Sequence, residues 1–320
     1  MRVSIETHPL NYASNQSPIP AGSRRLLETH GGTHAHAFGG QEWALLAAIA
    51  LIWGASFFFI DVALDAFAPG VIAAGRVALG AFALALWPAA RRPVARADLP
   101  RVALLGVVWM GIPLMLFPIA QQWIDSSVAG MLNAAVPLAA AAWASLLLGR
   151  LPRRNQAIGL VLGFAGVLAI SLPELRGAQA SPLGIALVLL AVVLYGLSQN
   201  LAVPLQQRHG SAPVLLRALL VALVVLAPFA LAGLDESRWA WGPALALLPL
   251  GLLGTGLAYV LMTTLVGRVG AARGSVAIYF VPIVAIGLGV AFLGERVSGV
   301  AVVGTGLVLA GAGLTSRKAN

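Results

Sequence analysis

The sequence predicts an all-α integral membrane protein with ten transmembrane helices arranged as two inverted-topology five-helix repeats. Three observations predict it. The 320 residues are 59% hydrophobic and only 10% charged, whereas a soluble domain carries roughly 25% charged residues. Ten separate apolar stretches are long enough to cross a bilayer, which takes about 20 residues or slightly fewer. The chain also repeats itself between its two halves.

The elements follow in order. Residues 1–41 are rich in Ser, Pro, Gly, Thr and His and hold no apolar run long enough for a signal-peptide core. They read as a disordered cytoplasmic tail, or as residues ahead of the natural start. His30, His34 and His36 fall there and read as solvated groups of a biased segment rather than as a metal site. The predicted spans 43–64, 69–90, 101–121, 127–148 and 155–172 make up a first repeat over 42–173. The spans 182–203, 212–233, 243–264, 272–293 and 298–315 make up a second over 180–315, and 316–320 form a cytoplasmic tail.

Orientation follows from the basic residues. With the N-terminus inside, Arg91, Arg92, Arg96, Arg101, Arg150, Arg153, Arg154, Arg208, Arg268, Arg273, Arg317 and Lys318 all fall in inner segments. The outer loops hold only Arg176, Arg238 and Arg296. That bias places both termini in the cytoplasm. An extra or missing span would break the alternation.

A shift of 145 residues sets Pro137 on Pro282, Gly149 on Gly294, Gly159 on Gly304 and Gly166 on Gly311. A shift of 142 sets Trp53-Gly-Ala-Ser56 on Tyr195-Gly-Leu-Ser198. Ala68-Pro69 and Ala212-Pro213 open the second helix of each half. A repeat of five spans enters the membrane from opposite faces in its two copies, so a pseudo-two-fold axis in the membrane plane relates them. Such a pair of halves supports alternating access.

Several classes are excluded. No basic stripe interleaved with aromatics argues for nucleic acid. The absence of cysteine removes disulfides and thiolate chemistry. No histidine lies in any span, and Lys318, the only lysine, is in no Walker motif. An enzyme is therefore not expected, nor any cofactor or metal. A channel would want rings of polar residues along a pore, and a scaffold or sensor would bring a soluble domain; the chain offers neither.

Ionisable residues inside spans are costly and mark candidate sites. Asp61 lies near the outer end of the first span and Arg76 two turns into the second, about 5 Å apart in depth at 1.5 Å per residue. As a pair they read as a gate, a zwitterion site or a static tie, with Asp61 a candidate proton carrier. Arg217 reads as interfacial or packing. Near mid-depth come Trp53, Trp109, Asn133, Tyr195, Gln199, Asn200, Tyr259 and Tyr279. Buried amides must find partners, and aromatics with a polar handle suit a cavity for small organic molecules; each can equally be packing. Pro137 and Pro282 interrupt the fourth and ninth spans at matching positions, which points to those helices as cavity wall. The glycines of the fifth and tenth spans read as close packing within each half or as an oligomer contact. Glu295 reads as a cap or anchor of the ninth helix.

Trp53 to Phe57 (WGASF), the Ala-Pro opening with Arg76, and Gly270 to Val297 (GAARGSVAIYFVPIVAIGLGVAFLGERV) resemble the EamA domain of the drug/metabolite transporter superfamily. The resemblance covers about residues 43–315. It implies a carrier of the bacterial cytoplasmic (inner) membrane with a central cavity between two halves, whose relatives often export amino acids, other metabolites or toxic compounds. Two positions depart from the pattern: Asp61 is acidic where the family often has a basic residue nearby, and Leu-Gly-Arg at Arg150 replaces the Leu-Gly-Glu kept at Glu295. The expected partners are a small-molecule substrate, a coupled proton and the bilayer, with a homodimer left open. The expectation is a secondary carrier or permease working by alternating access toward efflux. An uncoupled facilitator and a non-transporting scaffold are the alternatives.

Overall fold

The computed structural model describes residues 26, 27, 29, 39–149, 154–176 and 181–316. Among these, every regular element is helical. The rods are α1 (Gly40–Leu64), α2 (Pro69–Leu86), α3 (Arg96–Ala120), α4 (Ser126–Leu147), α5 (Arg154–Arg176), α6 (Pro182–His209), α7 (Ser211–Ala232), α8 (Trp241–Val269), α9 (271–293) and α10 (Gly299–Ser316). Seven are long and apolar enough to cross a membrane, and α5, α9 and α10 hold shorter apolar helices. Helices are what such a sequence can build in lipid, because each backbone group must be satisfied within its own segment. The candidate histidines of the tail, with Arg150, Arg153 and Lys318, lie outside the described residues.

Local chemistry sets the helix ends. Pro69 and Pro182 occupy first turns, where the missing N–H has no partner to lose. The Ser181 hydroxyl caps α6 by accepting from the Gly184 N–H at 3.2 Å. Gly210 and Gly270, at φ 78° and 85°, turn the chain from one long helix straight into the next, a conformation only glycine adopts freely.

The repeat seen in the sequence is physical. Gly149 and Gly294 hold matching left-handed turns at φ 61° and 69°. The helix ladder loosens to π geometry over Gly106–Gly111 in α3 and Pro249–Leu257 in α8, which are corresponding positions. Pro113 and Pro249, which cannot donate to the ladder, sit at these interruptions.

α5 and α10 pack along each other in antiparallel fashion. A Cβ on Gly166 would meet the Gly304 carbonyl oxygen at 2.6 Å, and one on Gly311 would collide with the Gly159 carbonyl. Exchanging each glycine for its repeat mate turns one contact into the other. These glycines therefore join the two repeats, where packing within each half or an oligomer contact was expected. Their closeness lets two backbones touch where lipid offers no hydrophobic drive to associate.

Candidate functional site

The two repeats meet around a small internal cavity of about 30 Å³, lined by Trp53, Ser56, Phe57 and Ile60 of α1, Arg76 of α2, Trp109 and Phe117 of α3, Asn133 of α4, Tyr195 and Gln199 of α6, Tyr259 of α8 and Ile278 of α9. That volume holds a water molecule or two. It is too tight for an organic solute, so this is a closed conformation.

The π segment of α8 builds one wall. Widening the helical turn leaves the Gly254 carbonyl to accept the Trp53 indole N–H at 3.0 Å. The Thr255 hydroxyl donates to the Leu250 carbonyl at 3.1 Å and accepts from Arg76 Nε at 2.9 Å. Gly80 of α2 permits that approach, since its Cβ would meet Thr255 and Gly256 at 3.0 Å. Arg76 is 3% exposed, and among the described residues no carboxylate pairs with it. Its terminal nitrogens find no acceptor there either.

The remaining walls are aromatic. Tyr259 stands edge-on to Trp53 and to Trp109 at 5.1 and 5.2 Å between centroids. Phe117 packs against Phe57 and Tyr195 at 5.4 and 5.7 Å. The hydroxyls of Tyr195 and Tyr259 bond each other at 3.1 Å, close to the Arg76 charge. Trp53 and Tyr195, repeat mates in the sequence, thus face one cavity from opposite halves.

Of the residues singled out in the sequence, Trp53, Arg76, Asn133, Tyr195 and Tyr259 line the cavity, as do Trp109 and Gln199. Asp61, Pro137, Asn200, Tyr279 and Pro282 do not. Asn200 joins helices: its amide nitrogen donates to the Ala140 and Gly196 carbonyls at 2.9 Å, and its oxygen accepts from the Thr29 hydroxyl at 3.2 Å. Tyr279 is half-buried beside the core. Pro137 and Pro282 start the inner helical runs that follow Asn133 and Ile278. The prolines lie next to lining residues without being lining residues. α4 and α9, expected as the main wall, contribute only those two side chains, and α1 contributes most.

Arg217 donates to the Pro213 carbonyl at 2.9 Å, a packing role. Phe57 and Ile60, four and seven residues after Trp53, were legible as a stripe on one helix face. Ser56, Phe117 and Ile278 carried no signal in the sequence.

The expected Asp61–Arg76 pair is not formed. Arg76 turns toward the α8 interruption, while the charged neighbours of Asp61 are Glu295, Asp65 and Asp125, all acidic. Glu295 does not cap its own helix. Its carboxylate accepts from the Ser126 N–H at 2.8 Å, the Ser126 hydroxyl at 2.6 Å and the Ser127 N–H at 3.0 Å, at the start of α4 in the other repeat. The left-handed turn at Gly294 and the bare Gly289 beneath it leave room for that reach.

The opposite end has its own tie. Asp98, 1% exposed, accepts from Arg208 at 2.8 Å and contacts His209 Nε2 at 2.8 Å, with Arg101 at 3.8 Å. Asp98 opens α3, Arg208 and His209 close α6, and the 25 residues of α3 put about 37 Å between this tie and the Glu295 end.

The EamA-like transporter family matches the chain twice, over residues 41–172 and 182–317. The chain belongs to that family. An uncharacterized transporter of Archaeoglobus fulgidus is 25% identical over 87% of this chain and 99% of its own length. The uncharacterized transporter YoaV of Bacillus subtilis is 26% identical over 59% of this chain and 66% of its own. A solved crystal structure shares the fold at a TM-score of 0.61 and 17% identity, covering 86% of this chain and 96% of that one. This EamA-like protein is thus a multi-pass membrane protein of a transporter family, with one family domain in each repeat.

Proposed function

We propose that the chain is a ten-span secondary carrier in a bacterial-type cytoplasmic membrane, with both termini inside, and that it moves a small metabolite outward by alternating access. The observation that carries this reading is the central cavity: both repeats line it, and it holds a buried arginine with no protein counter-charge. A static core has no use for such a charge, because burying it unpaired costs several kcal/mol. A substrate anion entering from one side and leaving to the other gives it a use.

The two cross-repeat ties support the same reading. By the distribution of arginines, the Glu295 end faces outward and the Asp98 end inward. Each tie sets a carboxylate of one repeat against donors of the other, so parting the repeats at one end breaks one tie and spares the other. With both made, the cavity is closed. Asp61, beside Glu295 and Asp125, is where we place a coupling proton.

The test is uptake and efflux of a labelled panel of amino acids and other metabolites in proteoliposomes, with and without an imposed proton gradient. Gradient-driven movement of one compound class supports the coupled carrier. Movement only down the compound's own gradient makes it a facilitator, and no movement of any compound removes the transport reading.

A further inference from the structure

Resting on that reading, we infer that the transported compound is a compact monocarboxylate bearing a hydrogen-bond donor next to the carboxylate and an apolar, preferably aromatic, body: a 2-amino or 2-hydroxy acid. Charge comes first. No acidic residue lines the cavity, so Arg76 gives it a single positive charge. One carboxylate neutralises that charge, whereas a phosphomonoester or dicarboxylate would bring a second negative charge with no partner. The guanidinium terminus can take both oxygens of a carboxylate in one plane. The Tyr195–Tyr259 hydroxyl pair, which uses one of its two protons internally, has the other to offer beside Arg76.

The donor requirement comes from two amides. Asn133 and Gln199 are 3% and 1% exposed, and Asn133 Oδ1 and Gln199 Oε1 have no hydrogen-bond partner. Buried acceptors left unpaired are costly, and native interiors rarely keep them. Both belong to cavity-lining side chains. A substrate N–H or O–H would satisfy them. Since they are neutral, a hydroxyl serves as well as an ammonium, which sets this site apart from one built on an acidic residue.

The body is read from what remains. Ser56 donates to the Ile52 carbonyl and Trp53 to Gly254, so these side chains present no free donor to a solute. Beyond them stand Phe57, Ile60, Trp109, Phe117 and Ile278. A polar tail would find little to bond there.

Four probes of similar size separate these features: L-phenylalanine, L-3-phenyllactate, 3-phenylpropanoate and phenethylamine. Binding to the full chain in nanodiscs is read by calorimetry, and transport by counterflow in proteoliposomes. The first two should bind alike, 3-phenylpropanoate about tenfold more weakly for its missing donor, and phenethylamine not at all. The variant Arg76→Gln should remove binding of all three acids. Asn133→Leu with Gln199→Leu should erase the difference between phenyllactate and phenylpropanoate while keeping phenylpropanoate bound, which a misfolded protein could not do. Binding of phenethylamine equal to phenylalanine, or of phenylpropanoate equal to phenyllactate, overturns the inference. If no probe binds but another compound is carried in an Arg76-dependent way, the substrate class falls and the carrier stands. If the acids bind in the expected order and none crosses, the carrier falls and the recognition stands.

Discussion

Glu295 ends α9 in the second repeat, yet the helix whose first turn it closes belongs to the first: its carboxylate accepts from the Ser126 N–H, the Ser126 hydroxyl and the Ser127 N–H. Asp125, the residue in the capping position of α4, makes no side-chain cap of its own. The anion that complements the positive end of α4 therefore comes from the other half of the chain. The repeat mates of Glu295 and Ser126 are Arg150 and Ala271. Neither can copy this contact at the far end, since a guanidinium accepts nothing and alanine has no hydroxyl. The far end uses Asp98.

Glu295→Gln keeps the shape but loses the charge and one acceptor oxygen. A hydrogen bond to a charged group contributes about 1.5–3 kcal/mol, so parting of the repeats at this end should become roughly ten- to a hundredfold more frequent. The chain has no cysteine, which makes Ile60→Cys, on the cavity wall, a clean reporter. Membrane-impermeant maleimide applied from the Glu295 side should label it faster by about that factor. An unchanged rate would mean the contact does not hold the closed form.

Asp98→Asn should act in the opposite sense. It weakens the tie to Arg208 and His209, and labelling of the same cysteine should rise only from the other side. If both substitutions raised labelling from the same side, the two ties would not be alternating gates.

Thr255→Val removes the acceptor of Arg76 Nε while keeping the side-chain shape. Leaving that donor unsatisfied costs about 1–3 kcal/mol, and Arg76 loses its fixed orientation. Substrate affinity should drop about tenfold or more, with thermal stability falling less than in Arg76→Ala. Affinity equal to the parent would show that Thr255 does not position the guanidinium.

Asp125 gives a pH signature. Burial, reinforced by the negative charge of Glu295, pushes its carboxyl above the ordinary 3.8. The folded state then holds its proton more tightly than the unfolded chain, so its contribution to stability is greatest at low pH and declines as pH rises from about 4 through the raised value. Glu295 opposes this at the acid end, because protonation weakens its clamp. The readout is therefore the difference between the parent and Asp125→Asn: matching melting temperatures near pH 4, with the variant higher near pH 7. A constant difference across that range would remove Asp125 as the titrating group.

The fold was legible because lipid leaves few options. Apolar runs of sufficient length, basic residues between them and a shift that lays Pro137 on Pro282 constrain the helices and their pairing with little ambiguity. The cavity was legible where polar or aromatic residues sit in apolar helices, as Trp53, Arg76, Asn133 and Tyr259 do. What stayed hidden was direction. Sequence depth put Asp61 level with Arg76, but the π interruption of α8 turns Arg76 toward Thr255. No spacing rule shows that Glu295 reaches the start of α4, since that contact depends on the left-handed turn at Gly294 and on how two distant halves meet. Asn200 was indistinguishable from Asn133 by type and depth, and only the crossing of α6 with α4 makes one a tie between helices and the other a cavity group.

The contact between α5 and α10 makes a prediction two residues wide. A Cβ at Gly304 would meet the Gly166 carbonyl oxygen at 2.8 Å and Ala169 Cβ at 2.9 Å, while one at Gly306 would meet nothing within 4 Å. In an isolated helix both substitutions by alanine should favour folding slightly, because glycine carries the greater conformational entropy cost. In the protein Gly304→Ala must push two backbones apart, and overpacking of this kind costs about 1–3 kcal/mol. Thermal unfolding in detergent should therefore show Gly304→Ala melting below the parent and Gly306→Ala at or above it. Because α5 and α10 belong to different repeats, the loss at Gly304 should extend to the joining of the halves, read as faster proteolysis of the loop between α5 and α6. Equal melting temperatures for the two variants would mean that the helices do not approach so closely in the membrane.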